Sequence, residues 1–300
     1  MTSPQLLAKV ARITRRFPRD RSPIMYYVCR AALQLLYPRR RRERGCHMVV
    51  DYDRGRIQVD TSSVIEYQIL FHGYFEPAVV RLLQSLLRPG DVCIDVGANI
   101  GAHALAASFA VGSTGRVIAV EPHPELAARL RANAALNGLQ NMLVMEAAVA
   151  ESDGEVPLHV FPVGAFNRGT SSLTARPECG RCIAVRALCG QSLKRMLALE
   201  TCRLVLIDVE GAELSVLRQF LWLIDGFSPI VVFEYSAANW RRSGAEIGEA
   251  LAIFRTRGYQ LHCIHGDVVV PVPSRMPPYC EIVCTPPFSD HSLPSAGLEQ

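Results

Sequence analysis

The sequence predicts an α/β fold, namely a Rossmann-like, doubly wound sheet of mostly parallel strands with helices on both faces. Two observations support this class. Continuous apolar runs of strand length, typical of strands buried on both faces, alternate with segments of helical length. The first such run, residues 92–96, leads directly into a glycine-punctuated turn and a helix-forming segment, which is the arrangement of a ligand-binding strand, turn and helix.

The first strand, turn and helix contain the predicted ligand-binding turn. Asp95 lies near the end of the strand, and Gly97 and Gly101 follow it with Asn99 between them. Glycine lets the backbone turn tightly and approach a ligand where a Cβ atom would obstruct it. Free N–H groups at the start of the next helix would face the same ligand. We therefore predict that Asp95, Gly97, Asn99 and Gly101 bind a cofactor.

The second and third strands extend this site. The run VIAVEP places Glu121 at the end of a buried strand, 20 residues beyond Gly101, where a carboxylate can accept both hydroxyl groups of a ribose. The run NMLVMEAAVA places Met145 and Glu146 at the next strand end. A nucleoside fold holds adenine there, although Met in a strand is as readily explained as core. We predict Glu121, Met145 and Glu146 as further cofactor contacts.

The spacing of the glycines indicates which cofactor binds. A dinucleotide site uses G-x-G-x-x-G to hold a pyrophosphate, whereas this turn has only Gly97 and Gly101. Asp95 would also repel a pyrophosphate, and it suits a cationic group such as the ammonium of the methionine portion of S-adenosylmethionine. The residues therefore favour S-adenosylmethionine over a nicotinamide dinucleotide.

Carboxylates at the ends of the fourth and fifth strands form a second group. The run RLVLIDVEG ends in Asp208 and Glu210, which strand alternation would place on one side, and PIVVFEYS brings Glu234 to the same edge. We predict Asp208 and Glu210 as catalytic residues. Glu213 is more simply explained as a first-turn acid that the helix dipole favours. Paired carboxylates also occur in Mg²⁺ sites, but separated strand ends do not establish one, and no metal ligand is predicted.

Residues 150–199 have weaker periodicity and are interpreted as an insertion or flap beside the site. The polar turn FNRGTSSL offers Asn167, Ser171 and Ser172 as substrate contacts. Ser-rich turns are more often only turns, so these three residues are candidates on chemistry alone.

Cysteine and histidine give weaker signals. Ten cysteines, many of them inside apolar runs, indicate a reduced compartment. Cys179 and Cys182 form a C-x-x-C pair without the second pair that a structural zinc site needs, so free thiols are the simpler interpretation. His103 and His72 are alternative bases, but the sequence supplies no orienting partner for either.

Charge is concentrated at the N-terminus. The net charge is +4, and residues 1–45 hold 12 Lys or Arg against 2 acids. We predict a basic helical extension over residues 1–65 that contacts an anionic membrane or an acidic partner, with a solvated surface as the bland alternative. Aromatic residues do not interleave with the Arg run, which disfavours nucleic acid as a partner. No apolar run reaches membrane-spanning length and no signal-peptide pattern is found, so a cytoplasmic location with membrane association as an option is expected.

Several blocks of the sequence occur in an order and spacing known from one enzyme family. They are IDVGANIG at 94–101, VEP at 120–122, IDVEGAELSVL at 207–217, YFEP at 74–77, NAALNG at 133–138, AAVAESDG at 147–154 and GTSSL at 169–173. Together they resemble the FkbM-type S-adenosylmethionine-dependent methyltransferases over residues 66–285. One position departs from the family, because Leu206 stands where members commonly carry Lys.

The resemblance implies a methyltransferase sheet of about seven strands with an antiparallel last strand, in a domain over residues 66–285 followed by a flexible tail over 286–300. It implies O-methylation of a hydroxyl on a sugar or another small-molecule or glycan acceptor, and places the GTSSL region near the substrate opening. Because of Leu206 and the basic N-terminus, the alternative is a non-catalytic cofactor-binding or membrane-recruited scaffold with the same fold.

Overall fold

The computed structural model describes residues 11–12, 28, 46–161, 171–174, 180–266 and 268–287, without the side chains of Val64 and His265. Most of the predicted N-terminal extension and of the tail lies outside the described residues, as do Asn167 and Cys179. The chain divides into two compact units. They are residues 1–77 with 161–170, and residues 78–160 with 171–300.

The described part of the first unit contains a β-hairpin and a helix. These are β1 (His47–Tyr52), β2 (Gly55–Asp60) and α1 (Val64–His72). Alternation along the two antiparallel strands buries Val50 and Tyr52 on β1 and Ile57 and Val59 on β2. The expectation of a helical extension is therefore wrong for residues 47–60, where period-two alternation favours strands.

In the second unit strands alternate with helices, as the sequence predicts. Its described strands are β3 (Val92–Val96), β4 (Arg116–Val120), β5 (Met142–Met145), β6 (Ala148–Val149), β7 (Gly154–Val160), β8 (Arg181–Leu188), β9 (Leu204–Ile207), β10 (Ile230–Ser236), β11 (Gln260–His265), β12 (Val268–Pro271) and β13 (Tyr279–Thr285). The helices, the first of which begins at the boundary between the units, are α2 (Pro77–Leu86), α3 (Ala102–Val111), α4 (Pro124–Leu136), α5 (Gly190–Leu197), α6 (Glu213–Gln219), α7 (Leu221–Phe227), α8 (Ala237–Ser243) and α9 (Ile247–Arg255). None of the described helices has the length and apolar character needed to cross a bilayer.

Eight of the described strands form one sheet in the order β12-β11-β13-β10-β9-β3-β4-β5. Neighbouring strands from β10 to β5 are parallel, and β13 pairs antiparallel with β10. The predicted methyltransferase sheet with an antiparallel last strand is confirmed, and β12 is an additional edge strand beside β11. Strand order reverses between β3 and β9, so the C-terminal ends of these strands flank the crevice where α/β folds bind ligands.

Helices cover both faces of this sheet. Ile94 and Val96 belong to a core cluster that includes residues of α5, α6, α7 and α9. Cys93 belongs to the cluster on the opposite face, which includes residues of α2 and α3. Burial on both faces explains why the parallel strands read as continuous apolar runs. It also holds the strand ends, and the acids that follow them, in fixed register.

Residues 148–188 contribute a separate three-stranded sheet in the order β6-β8-β7. Strands β7 and β8 lie inside the predicted insertion, and they pair antiparallel. A bridge between His159 and Ser172 joins the short described segment 171–174 to β7.

Candidate active site

The turn between β3 and α3 packs closely against its neighbours. Gly97 has a φ of +89° and Gly101 a φ of +95°, conformations that favour glycine. A Cβ atom on Gly97 would lie 1.7 Å from the carbonyl oxygen of Asp208, and one on Gly101 would lie 2.3 Å from Cδ1 of Leu130. Packing and backbone conformation therefore both require glycine here, and the cofactor contact of these residues stays a prediction.

Glu121 connects the ends of β3 and β4. Its Oε2 accepts a hydrogen bond from the Asn99 N–H and its Oε1 accepts one from the His123 N–H, each at 2.8 Å. Asn99 has a φ of +53°, which Asn tolerates better than most residues, and its Oδ1 accepts the Ile100 N–H. Each oxygen of Glu121 keeps a second lone pair, so this side chain can accept ribose hydroxyls without releasing the turn.

Asp95 is a buried acid near Glu121. Burial, followed by the charge of Glu121, raises the pKa of Asp95 to about 7, whereas a hydrogen bond from the Ala104 backbone lowers it. Burial raises the pKa of Glu121 to about 7 as well. Among the described residues, Oδ2 of Asp95 has no hydrogen-bond partner. A buried carboxylate oxygen is costly to leave unsatisfied, so this site fits a ligand that brings positive charge and hydroxyl donors, as S-adenosylmethionine does.

Asn133 in α4 supports the same turn, and sequence reasoning gave it no role. Its side chain is fully buried, and its Nδ2 donates to the carbonyl of Ile100 at 2.8 Å. The available signal was an amide inside a helical face that packs on the sheet, because a buried polar group requires a partner.

The two residues predicted at the adenine position have different surroundings. Met145 is buried in the core cluster that contains Ile118, and its carbonyl accepts the Glu121 N–H at 3.0 Å. Glu146 is exposed and pairs with Arg131 at 2.9 Å. Both adenine contacts stay predictions, and Met145 already has a structural role.

Strand β9 ends at Ile207, so Asp208 and Glu210 lie in the turn beyond it. Glu210 has a φ of +56°, which is uncommon for this residue type. The geometric premise that strand alternation orients both carboxylates is therefore wrong. Oε2 of Glu210 accepts a hydrogen bond from Nδ2 of Asn239 at 2.8 Å, and Asp208 donates its N–H to the Val96 carbonyl at 2.9 Å. The catalytic roles of Asp208 and Glu210 stay predictions.

The carboxylates that the structure gathers with Asp208 are those of Glu213 and Glu234. One carboxylate oxygen from each of the three residues lies within 4.8 Å of the others. Glu213 begins α6 and is fully buried, and its Oε1 accepts the N–H groups of Val209 at 3.2 Å and Gly211 at 2.9 Å. Burial raises the pKa of Glu213 to about 7, against these backbone hydrogen bonds. The explanation of Glu213 as a first-turn acid is therefore incomplete, because this side chain also stabilises the turn that precedes α6.

The predicted substrate contacts are partly described. Ser172 is buried, and its Oγ donates to the Glu210 carbonyl at 2.8 Å and accepts the Thr174 N–H at 3.1 Å. Oγ of Ser171 is buried without a hydrogen-bond partner among the described residues. Asn167 lies outside the described residues. Ser172 thus supports the turn that carries Glu210, and substrate contact stays a prediction for all three.

Leu206 forms part of the apolar core beneath the site. It is buried in β9, where its register neighbours are Asp95 on β3 and Val232 on β10. A Lys at this position would therefore lie on the same face of the sheet as Asp95. Of the two histidines considered as bases, His103 is buried in α3 and His72 is exposed at the end of α1.

Comparison with known proteins identifies relatives of one chemical class. A model of the methyltransferase FkbM domain matches residues 95–261, more than half of the chain. The chain is 29% identical over 143 residues to hexuronic acid methyltransferase AglP of Haloferax volcanii, covering 48% of this chain and 55% of AglP. It is 39% identical over 71 residues to protein-L-isoaspartate O-methyltransferase 2 of Archaeoglobus fulgidus, covering 23% of this chain and 32% of that protein. These alignments span about half or less of the two relatives.

Similar solved structures include an S-adenosylmethionine-dependent O-methyltransferase from Thermotoga maritima. The TM-score is 0.44 at 12% sequence identity, and the superposition covers 81% of this chain and 79% of that one.

Proposed function

The chain belongs to the FkbM family of S-adenosylmethionine-dependent methyltransferases, and we propose that it methylates a hydroxyl oxygen of a sugar or a related small-molecule or glycan acceptor. The name of AglP supports the acceptor, because a hexuronic acid is an acidic sugar. Since the alignment spans only 55% of AglP, the acceptor and the O-methylation belong to the proposal.

The buried pair of Asp95 and Glu121 beside the glycine turn is the observation that carries the proposal. Glu121 keeps lone pairs for the two ribose hydroxyls, and Asp95 offers an unsatisfied buried oxygen to the cationic methionine portion. Gly97 and Gly101 give the turn the positive φ angles with which its backbone would lie against the cofactor. These residues would hold the methyl donor above the ends of β3 and β4.

Bound S-adenosylmethionine supplies an electrophilic methyl group, so that a bond from the acceptor oxygen to carbon forms while the sulfur–carbon bond breaks, leaving S-adenosylhomocysteine. The hydroxyl proton must pass to a base. Asp208 is the candidate, because its backbone contacts the glycine turn, and Glu210 is held next to it by Asn239. Alignment of two reactants supplies about 7–11 kcal/mol at best, whereas a general base adds about 3–5 kcal/mol. Positioning of the cofactor through Asp95 and Glu121 should therefore contribute more to the rate than Asp208 or Glu210 acting as a base.

Calorimetric titration tests the cofactor site. The intact chain and the variants Asp95→Ala and Glu121→Ala would be titrated with S-adenosylmethionine, S-adenosylhomocysteine and NAD. Micromolar binding of both sulfur compounds, weakened in both variants, is expected. Binding of NAD instead, or of none of the three, would contradict the proposal.

A transfer assay tests the acceptor. Labelled S-adenosylmethionine would be offered with glucuronic acid, glucose and an isoaspartyl peptide, and the products identified by mass spectrometry. We expect a methyl ether on the sugars and no label on the peptide. Cofactor binding without transfer to any acceptor would favour the scaffold alternative, for which Leu206 and the basic N-terminus are the grounds.

Residues 1–45 contain 12 Lys or Arg and only 2 acids, and this positive charge supports peripheral contact with an anionic membrane or an acidic partner. Cosedimentation with phosphatidylserine vesicles, lost in high salt and absent with neutral vesicles, is the expected result. Equal sedimentation with both kinds of vesicle would contradict it.

A further inference from the structure

Asp208, Glu213 and Glu234 form a compact group, termed here the carboxylate cluster, near the C-terminal ends of β9 and β10. One oxygen from each side chain lies within 4.8 Å of the other two. Oxygen ligands lie about 2.0–2.6 Å from Mg²⁺ or Ca²⁺, and hence about 3–5 Å from one another. The three carboxylates are therefore spaced as ligands of a single cation.

Glu213 gives an independent indication that a ligand is missing. The whole residue is 0% exposed. Its Oε1 accepts the two backbone N–H groups of Val209 and Gly211, whereas Oε2 has no hydrogen-bond partner among the described residues. Because the backbone fixes Oε1, Oε2 is the oxygen that Glu213 can offer to the cluster. A buried carboxylate oxygen without a partner is costly unless a ligand satisfies it.

The turn that carries the cluster is held from outside. Ser172 donates to the Glu210 carbonyl and Asn239 donates to the Glu210 carboxylate. Gly211 has a φ of +106°, and a Cβ atom there would lie 3.1 Å from the Asn239 carbonyl oxygen. The position of Glu213 is therefore set before any ligand binds, as a site of defined geometry requires.

We propose that Asp208, Glu213 and Glu234 bind a divalent, oxygen-preferring cation such as Mg²⁺ or Mn²⁺. The donor set contains only carboxylate oxygens, which suit hard cations rather than zinc or copper. The sequence predicted no metal ligand, because separated strand ends do not reveal that Glu213, from the following helix, completes the set.

A cation bound by the cluster would lie beside the glycine turn, which assigns it a role in the reaction. That role rests on the methyl transfer proposed above, whereas binding of the cation does not. Asp208 contacts that turn through its carbonyl oxygen, close to Gly97. A cation held there would ligate the acceptor oxygen and make its proton easier to lose to a carboxylate or to water. The oxygen–carbon bond then forms as the sulfur–carbon bond breaks. A cation would also attract an acidic sugar that three carboxylates alone would repel.

Mn²⁺ binding to the intact chain tests the site directly. The purified protein would be freed of metal with EDTA and titrated with Mn²⁺, whose free form is followed by its six-line paramagnetic resonance signal. We expect one Mn²⁺ per chain, displaced by Mg²⁺. Glu213→Gln and Glu234→Gln should each weaken binding at least about tenfold, because loss of even an outer-shell partner costs 10–100-fold.

The matched control is Glu249→Gln, which removes the same charge from an exposed ion pair with Arg218 and should bind Mn²⁺ like the wild type. Circular dichroism would verify folding, and if Glu213→Gln does not fold, Glu234→Gln decides. The proposal would be overturned if the wild type left the signal of free Mn²⁺ undiminished, or if it bound Mn²⁺ with the same affinity as both variants. The cluster would then hold only protons.

Measuring methyl transfer in the presence of EDTA, together with Mn²⁺ binding, distinguishes failure of the cation site from failure of the proposed function. Mn²⁺ binding without transfer to any acceptor would support the site and remove the proposed function. Full transfer in EDTA, with no Mn²⁺ bound, would overturn the site and leave the function standing.

Discussion

The cofactor pair, Asp95 and Glu121, and the carboxylate cluster occupy the same edge of one sheet, and Glu121 and Glu213 differ in how their carboxylate oxygens are satisfied. In the cofactor pair, backbone N–H groups contact both oxygens of Glu121. In the cluster, they contact only one oxygen of Glu213. The arrangement at Glu121 leaves single lone pairs for neutral hydroxyls, whereas that at Glu213 leaves a whole oxygen for a ligand. Asp95 has the second arrangement, with one backbone hydrogen bond and an unsatisfied Oδ2, so the pattern of backbone donors distinguishes Glu121 from both Asp95 and Glu213.

The pKa values do not make this distinction. Burial is the first cause of the raised pKa of Asp95, of Glu121 and of Glu213, each to about 7. Glu213 therefore responds to pH as Asp95 and Glu121 do, and it differs from Glu121 in which ligands it can accept. Variants that disturb one group and spare the other are the way to test that difference.

Gly97→Ala should have the largest effect, because it disturbs both groups at once. The new Cβ would lie 1.7 Å from the Asp208 carbonyl oxygen, at a φ of +89°. Overpacking costs about 1–3 kcal/mol and the left-handed backbone about a further 1–2 kcal/mol, so the free energy of unfolding in urea should fall by about 3 kcal/mol. Gly138→Ala is the control, since its φ is +63° with nothing within 4 Å of the Cβ. Equal losses in the two variants would mean that backbone conformation alone matters at Gly97.

Glu121→Gln separates the groups. The amide cannot accept both backbone N–H groups, and it loses the charge-assisted bonds to ribose, each worth about 1.5–3 kcal/mol. Calorimetry should show affinity for S-adenosylmethionine and S-adenosylhomocysteine lowered about 10–100-fold, with Mn²⁺ binding at the cluster retained. The exposed Glu151→Gln is the charge-matched control. Unchanged cofactor affinity in Glu121→Gln would remove the ribose contact.

The sequence predicted the cofactor pair better than the cluster for a physical reason. Asp95 lies near the end of β3 and Glu121 directly follows β4, at the spacing of a strand, turn and helix unit, so chain order fixes their proximity. Glu213 reaches its place only because Glu210 and Gly211 take positive φ and reverse the chain. Local alternation cannot anticipate that reversal, and it misplaced Glu210 for the same reason.

The same limit applies to the fold. The parallel strands were predictable because two-sided burial leaves continuous apolar runs. The edge strand β12 depends on pairing with one neighbour, which a short apolar run does not reveal. The hairpin of β1 and β2 does carry a period-two alternation, which the expectation of a helical extension missed. Asn133 and Asn239, which hold the two turns, are single polar residues whose partners are distant in the sequence.

Cofactor affinity should depend on pH through the cofactor pair. Asp95 and Glu121 have pKa values raised to about 7, so both ionise as the pH rises from about 6 to about 8. S-adenosylmethionine carries a sulfonium charge that S-adenosylhomocysteine lacks, and both share the remaining groups. The preference for S-adenosylmethionine should therefore rise several-fold over this range by calorimetry, and should be flatter in Asp95→Asn. A constant preference in the wild type would contradict the charge argument.

The same shifts fix the sign of the effect on stability. A raised carboxyl pKa means that the native chain holds protons that the unfolded chain has already lost. Stability from these groups is therefore complete below about pH 4 and falls as the pH rises to about 7. Urea unfolding without cofactor should show this decline, and added S-adenosylmethionine should oppose it.

Ser172→Ala should have the smallest effect and should act only on the side of the cluster. It removes the bond from Oγ to the Glu210 carbonyl and leaves that carbonyl to find water, which costs about 1 kcal/mol. We expect a few-fold loss of kcat/KM for methyl transfer with cofactor affinity unchanged, because the cofactor pair makes no contact through this hydroxyl. Ser85→Ala, which removes a similar bond to the Leu82 carbonyl within α2, should leave both quantities unchanged. Weaker cofactor binding in Ser172→Ala would show that the two groups are coupled through the turn, since the backbone of Asp208 contacts Val96 and Gly97 beside the cofactor pair.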